Sequence, residues 1–216
     1  MRPALPGPCL CLVTDRHVGD ERTLVSRVAQ AVAGGVDMLQ LREKDLPGGR
    51  LLELAEALKK AIGDSALLVV NERVDVAAAV AADGVQLGEE ALPVAVARDI
   101  LGPEALIGRS VHSLEGAVRA AQQGADFLVV GTIYATRSHP GEEPAGPDLI
   151  RRIAAACSVP LIGIGGINAS NMSEVMQAGA SGAAVITSIL AAPDPQLAAW
   201  ELKQAMLAAR PATRGS

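Results

Sequence analysis

Four stretches of this chain repeat one junction: AGGVDMLQL (33–41), AADGVQL (81–87), QQGADFLVV (122–130) and QAGASGAAVI (177–186). Each reads as an Ala-rich helix end, a glycine that stops the helix in a left-handed conformation, a small or acidic residue, and then a short strand. The same alternation runs the length of the chain. Aliphatic runs predict strands at 10–14, 38–41, 67–70, 84–87, 106–108, 127–130, 161–163 and 183–186, separated by amphipathic segments at 23–33, 51–61, 74–81, 94–101, 114–122, 148–156, 171–177 and 195–208. Eight strand–helix units in 216 residues predict a single (β/α)8 TIM barrel over 1–216, ordered from about 10 to 208 with a short flexible C-terminal tail. A doubly wound open sheet is the alternative, but its first βα turn would carry G-x-G-x-x-G, and here that turn reads TDRHVGDE.

Composition agrees with a buried parallel sheet. Half the residues are hydrophobic and only 1% are aromatic, so the core must be Val, Leu, Ile and Ala. A net charge of −5 with so few stacking faces argues against nucleic acid. Cys9, Cys11 and Cys157 cannot all pair and predict small core residues in a reducing compartment. No apolar run is long enough to span a bilayer, and the proline-broken start is no signal peptide, so a cytoplasmic protein without a membrane partner is expected. Oligomeric state is left open, a homo-oligomer included.

In a barrel, chemistry belongs at the C-terminal ends of the strands. Those ends read TDR, QLREKD, NER, QLGEE, GRSVHS, GTIYATRSHPG, GIGG and TSI. After the last two strands, Gly163, Gly165 and Gly166 let backbone N–H groups approach an anion. Thr187 and Ser188 add hydroxyls, and a helix starting near Ser188 would aim its dipole at the same point. The plainer alternative is that the glycines only make turns. Gln40, Arg42 and Lys44 alternate onto one side of strand two, where inward cations need negative charge. Substrate phosphates, or Glu72, Glu89 and Glu90, could provide it. Carboxylates at neighbouring strand ends, Glu72 and Glu90, could share a Mg²⁺ ion or simply complement helix N-termini. Ser110 and His112 face the same way, yet no G-x-S-x-G elbow accompanies them, so Ser110 reads as a hydrogen-bonding residue. The loop holding Thr136, Arg137, Ser138 and His139 is long enough to close over a ligand, with His139 as a proton relay.

QLREK, N-x-R after strand three, DGVQLGEE, G-x-S-x-H, G-x-I-x-x-T, GIGGI and the final V-I-T-S-I, in that order, resemble the thiamin phosphate synthase / TenI family from about Leu12 to Ala192. The resemblance implies a (β/α)8 barrel and two substrates, a thiazole phosphate and hydroxymethylpyrimidine diphosphate, joined with Mg²⁺ as diphosphate leaves. It implies that Gln40, Arg42, Lys44 and Asn71 hold the pyrimidine diphosphate and that Ser110 lies near its diphosphate. Thr136 and Ser138 would contact the substrates, and Gly166, Thr187 and Ser188 would hold the thiazole phosphate. Lys44, Ser110 and His139 become the catalytic candidates, with Glu72 and Glu90 for metal. Three positions depart from the synthase pattern. Glu72 and Ala91 stand where aspartates are usual, and His139 stands for the lysine of T-x-T-K. The TenI-type tautomerase, which isomerises the thiazole phosphate without metal, would need a histidine directly after Gly131. That position is Thr132, so His112 or His139 would have to replace it. A non-catalytic thiazole-phosphate sensor is the third reading. Retention of both Arg42 and Lys44 favours the synthase.

Overall fold

The computed structural model describes residues 3–136 and 143–209. Its strands are β1 (Cys9–Val13), β2 (Met38–Leu41), β3 (Leu67–Asn71), β4 (Gly84–Leu87), β5 (Leu106–Val111), β6 (Phe127–Val130), β7 (Leu161–Ile164) and β8 (Gly182–Val185). All neighbours pair in parallel, and β8 returns to β1 to close the barrel. Around it lie α1 (Leu24–Ala33), α2 (Gly48–Ile62), α3 (Val74–Ala79), α4 (Val94–Leu101), α5 (Leu114–Gln122), α6 (Gly146–Ala156), α7 (Met172–Gln177), the one-turn α8 (Thr187–Leu190) and α9 (Pro195–Ala208). The TIM barrel expected from the sequence is the fold observed.

The period-two alternation of each strand divides the core into two layers. Cys9, Cys11, Val13, Met38, Val69, Leu106, Phe127, Val129, Ile162 and Ala184 pack together inside the barrel. Their sequence neighbours Leu10, Leu12, Leu39, Leu41, Leu68, Val70 and Ile107 pack outward against the helices. Burial pushes the Cys9 thiol up to about 12, with the nearby Asp37 charge adding to the effect, so it stays a neutral core group. Among the described residues no helix is long and apolar enough to cross a membrane.

Two expectations need correction. β5 continues to Val111 instead of stopping at 108, because the ladder with β6 pairs Arg109 and Ser110 through their backbones whatever their side chains. In AADGVQL the helix is stopped by Ala81, at φ +49°, and not by Gly84, which lies inside β4. Lys59 Nζ donates to the carbonyls of Val80 and Ala81 at 2.6 Å each and holds that turn. Gly35, Gly124 and Gly179 do take positive φ.

The acidic residue of the repeated junction has a definite task at the N-terminal face. Asp37 accepts from Leu10 N, Asp83 from Leu68 N and Asp126 from Ile107 N, each at 2.7 Å. A carboxylate preceding an even strand thus takes an N–H near the start of the odd strand before it. Asp83→Ala should leave the Leu68 N–H without its acceptor and cost about 1–3 kcal/mol. Thermal unfolding is the measurement, and kcat should not move, because Asp83 lies at the end of the barrel opposite the mouth.

Candidate active site

The segment leaving β2 carries two cations, Arg42 and Lys44, with the buried Glu43 between them. The Arg42 N–H donates to Thr14 Oγ1 at 2.9 Å, and Thr14 is buried at the end of β1. Glu43, only 6% exposed, points the other way. Its carboxylate accepts from Arg16 N at 3.1 and 3.2 Å and from Arg16 Nη1 at 3.3 Å. The same guanidinium forks onto Asp45 at 2.5 and 2.6 Å. These hydrogen bonds hold the Asp45 carboxyl below its usual range and raise Arg16 further. Arg16, Glu43 and Asp45 therefore form the internal ion network near β2, while no described carboxylate pairs with Arg42 or Lys44. The proposed partners Glu72, Glu89 and Glu90 pair with neither cation. Lys44, Asn71, Glu72, Arg73, Glu43, Leu46 and Leu51 line a cleft of about 250 Å³.

Below the rim, inward polar side chains pair across adjacent strands. Gln40 Nε2 donates to Asn71 Oδ1 at 3.1 Å, and Gln86 Nε2 to Ser110 Oγ at 3.0 Å. Gln86 is 1% exposed, and its Oε1 has no hydrogen-bond partner among the described residues. Ser110 accepts from Gln86, which leaves its own O–H to donate elsewhere. Ser110 and His112 make no hydrogen bond to each other; His112 Nδ1 instead donates to the Gly131 carbonyl at 2.6 Å. Nε2 is therefore the basic nitrogen, 4.0 Å from Glu89 Oε2.

Glu72 sits at φ +59°, with its N–H donating to Gln86 O at 2.8 Å. Its carboxylate lies over Gly88, where a Cβ would collide with Oε1. Glu89 and Glu90 are exposed in the following turn, which Arg109 holds through the carbonyls of Glu89 and Leu92. Among the described residues no three His, Cys, Asp or Glu side chains gather as a metal-binding group.

Across β1, the glycines after β7 first answer a steric demand. A Cβ at Gly165 would stand 2.6 Å from Thr132 Cγ2, and one at Gly166 would stand 2.6 Å from the Ala135 carbonyl oxygen. Their φ values are +103° and +62°. The chain leaving β6 runs directly over them, with Ile133 N donating to Ile164 O and Tyr134 N to Gly165 O. Gly163 faces the helix layer, where a Cβ would meet Val175 and Ile150, so it does not belong to the cup. The N–H groups of Gly166, Thr187 and Ser188 donate to no described backbone acceptor. Ser188 Oγ donates to Ile167 O at 2.8 Å and ties α8 to the β7 loop. Tyr134 donates to Glu174 at 2.7 Å; partial burial and that carboxylate push its phenol up to about 12. Thr136 is half-buried, and Arg137, Ser138 and His139 lie outside the described residues.

Gln40, Arg42, Lys44, Asn71, Ser110, Gly166, Thr187 and Ser188, named from the sequence, lie at or just beyond the C-terminal ends of their strands; Thr14, Arg16, Glu43 and Gln86 were not named. The available signal for Glu43 was its parity: in QLREK it falls on the helix-facing side, where a carboxylate requires a partner.

A family model described as thiamine monophosphate synthase matches residues 10–189. The thiamine-phosphate synthase of Haloarcula marismortui is 46% identical over 200 residues, covering 90% of this chain and 95% of that protein. That of Methanoculleus marisnigri is 45% identical, covering 93% and 96%. Among solved structures, a thiamine phosphate pyrophosphorylase from Pyrococcus furiosus matches with a TM-score of 0.85 and 38% identity over 93% of this chain and 96% of that one. The match spans all eight strands and both arcs of the mouth, and on that basis the chain belongs to the thiamine monophosphate synthase family.

Proposed function

We propose that this chain condenses hydroxymethylpyrimidine diphosphate with thiazole phosphate to give thiamine phosphate and free diphosphate. The observation that carries the reading is the pair Arg42 and Lys44, two mouth cations without a described carboxylate partner. A second anion-binding arc of open N–H groups at Gly166, Thr187 and Ser188 complements them. Two anionic substrates need two such arcs; a single small phosphate ester needs one.

On this reading the diphosphate lies against Arg42 and Lys44, and Ser110 donates its O–H to a diphosphate oxygen. Gln86 orients that hydroxyl from below by donating to its oxygen. Gln40 and Asn71, already bonded to each other, keep one amide oxygen and one amide nitrogen for the pyrimidine edge. As the carbon–oxygen bond to diphosphate breaks, negative charge grows on the departing oxygens. Arg42, whose backbone N–H is held by Thr14 Oγ1, and Lys44 stabilise that charge. Gly166, Thr187 and Ser188 anchor the phosphate of the second substrate, so the two reacting rings meet in one orientation.

Glu72, whose carboxylate lies over Gly88, and the exposed Glu90 are hard oxygen donors beyond the ends of β3 and β4. Such donors suit Mg²⁺, which commonly takes one or two carboxylates and completes its shell with phosphate oxygens and water. Glu72 and Glu90 would hold the ion, and when bound it supplies charge neutralisation to the diphosphate.

A second reading, tautomerisation of the thiazole phosphate, is favoured by one feature: His112 is oriented by the Gly131 carbonyl with Nε2 as its basic nitrogen. One assay separates the two. Purified protein with both precursors should form thiamine phosphate with Mg²⁺ and none with EDTA. No product under either condition, together with isomerisation of the thiazole phosphate alone, would overturn the synthase reading.

A further inference from the structure

We infer that Arg27, on α1 and outside the barrel mouth, is a positioning residue that sets the affinity of the β7–β8 cup by fixing α8. The inference rests on the reading of Gly166, Thr187 and Ser188 as the thiazole phosphate site. α8 has four residues, far fewer than a helix needs to hold its own shape in water. Its placement must therefore be imposed from outside. Ile189 and Leu190 are buried and anchor one side. Ser188 Oγ fixes the front of the helix to the β7 loop through Ile167 O. At the back, Arg27 Nε donates to Leu190 O at 3.1 Å, and Nη2 donates to the Ala192 carbonyl.

Carbonyls at a helix C-terminus have no partner within the helix, and a cation there also complements the dipole. Among the described residues this guanidinium donates to Leu190 O, in the last turn of α8, and to Ala192 O, just beyond it, and no described carboxylate pairs with it. Arg27 thus ties α1 to the far end of the element whose first N–H groups belong to the cup. Removing it leaves part-buried carbonyls unpaired and frees α8 to pivot about Ser188. The Thr187 and Ser188 N–H groups then lose their alignment while Arg42 and Lys44 are untouched.

The test is calorimetric titration of the full chain with thiazole phosphate and with the unphosphorylated thiazole alcohol, for wild type, Arg27→Ala and Arg27→Lys. Arg27→Ala should bind the phosphate ester about ten-fold more weakly, short of the roughly 10²-fold that misplacement of a binding group can cost. Affinity for the alcohol and KM for the pyrimidine diphosphate should stay at wild-type values. Arg27→Lys, which keeps one donor, should fall between and serves as the test variant if the alanine form does not fold. An ester-to-alcohol ratio unchanged in the variants would overturn the positioning role, as would equal losses for ester, alcohol and diphosphate. A wild-type protein that does not prefer the ester would instead overturn the cup itself.

Discussion

Lys44→Ala is expected to lower kcat/KM for the pyrimidine diphosphate by about 10²–10³-fold, the loss typical of removing one group that meets charge developing in a transition state. The melting temperature should not move. Lys44 is exposed and has no described carboxylate partner, so its removal strands no buried charge. Binding of thiazole phosphate should also be unchanged, because that substrate is assigned to the other arc of the mouth. Lys44→Arg should recover part of the rate, since charge is kept while a compact ammonium becomes a planar fork. Steady-state kinetics with each substrate varied in turn reads all of this. Near-wild-type turnover of Lys44→Ala would move the diphosphate away from β2.

Gly108→Ala should damage the barrel wall and the site together. A Cβ at this position would overlap Gln86 Oε1 and the ring edge of Phe127. Phe127 is 1% exposed and closed in on all sides by the strands, so it has nowhere to go. We expect a loss of about 3 kcal/mol, the upper end of ordinary overpacking costs, which lowers Tm by roughly 6–12 °C in a chain of this size. Unlike Lys44→Ala, which should spare stability, this change should lower both stability and turnover, because Gln86 is the side chain that holds Ser110. Adding Phe127→Leu should return part of both losses, an interaction that a double-mutant cycle measures directly. Wild-type melting of Gly108→Ala would mean that the inner layer has slack the packing does not suggest.

The two predictions also mark what could be read from the sequence. Strand identity was legible because eight aliphatic runs are short and bounded, and the mouth was legible because polar residues follow each run. Lys44 and Arg42 stood out by parity alone. What was not legible depends on partners distant in sequence. Glu43 is clamped by Arg16, 27 residues earlier, and nothing local to QLREK names that partner. Gln86 reads as filler in an aliphatic run, yet it is the buried amide beneath Ser110. β5 was cut short because Arg109 and Ser110 end its hydrophobic run, whereas a parallel ladder needs only backbone. The glycines after β7 were read as an anion cradle, when the chain leaving β6 already requires two of them. Arg137, Ser138 and His139 lie outside the described residues, so their part in the chemistry stays with the sequence argument.

The carboxylates at the N-terminal face give the ring of strands a grain. Asp37 joins β2 to β1, Asp83 joins β4 to β3, and Asp126 joins β6 to β5. Between β2 and β3, and between β4 and β5, the corresponding links are backbone hydrogen bonds from Leu67 N to Asp37 O and from Leu106 N to Asp83 O. From β1 to β6 the wall therefore has firm joints and plain joints in alternation. A chain divided between β4 and β5 keeps each of these three carboxylate ties inside one fragment, whereas a division after β3 or after β5 severs one. The repeating brick from β1 to β6 is accordingly a pair of strands closed by one carboxylate.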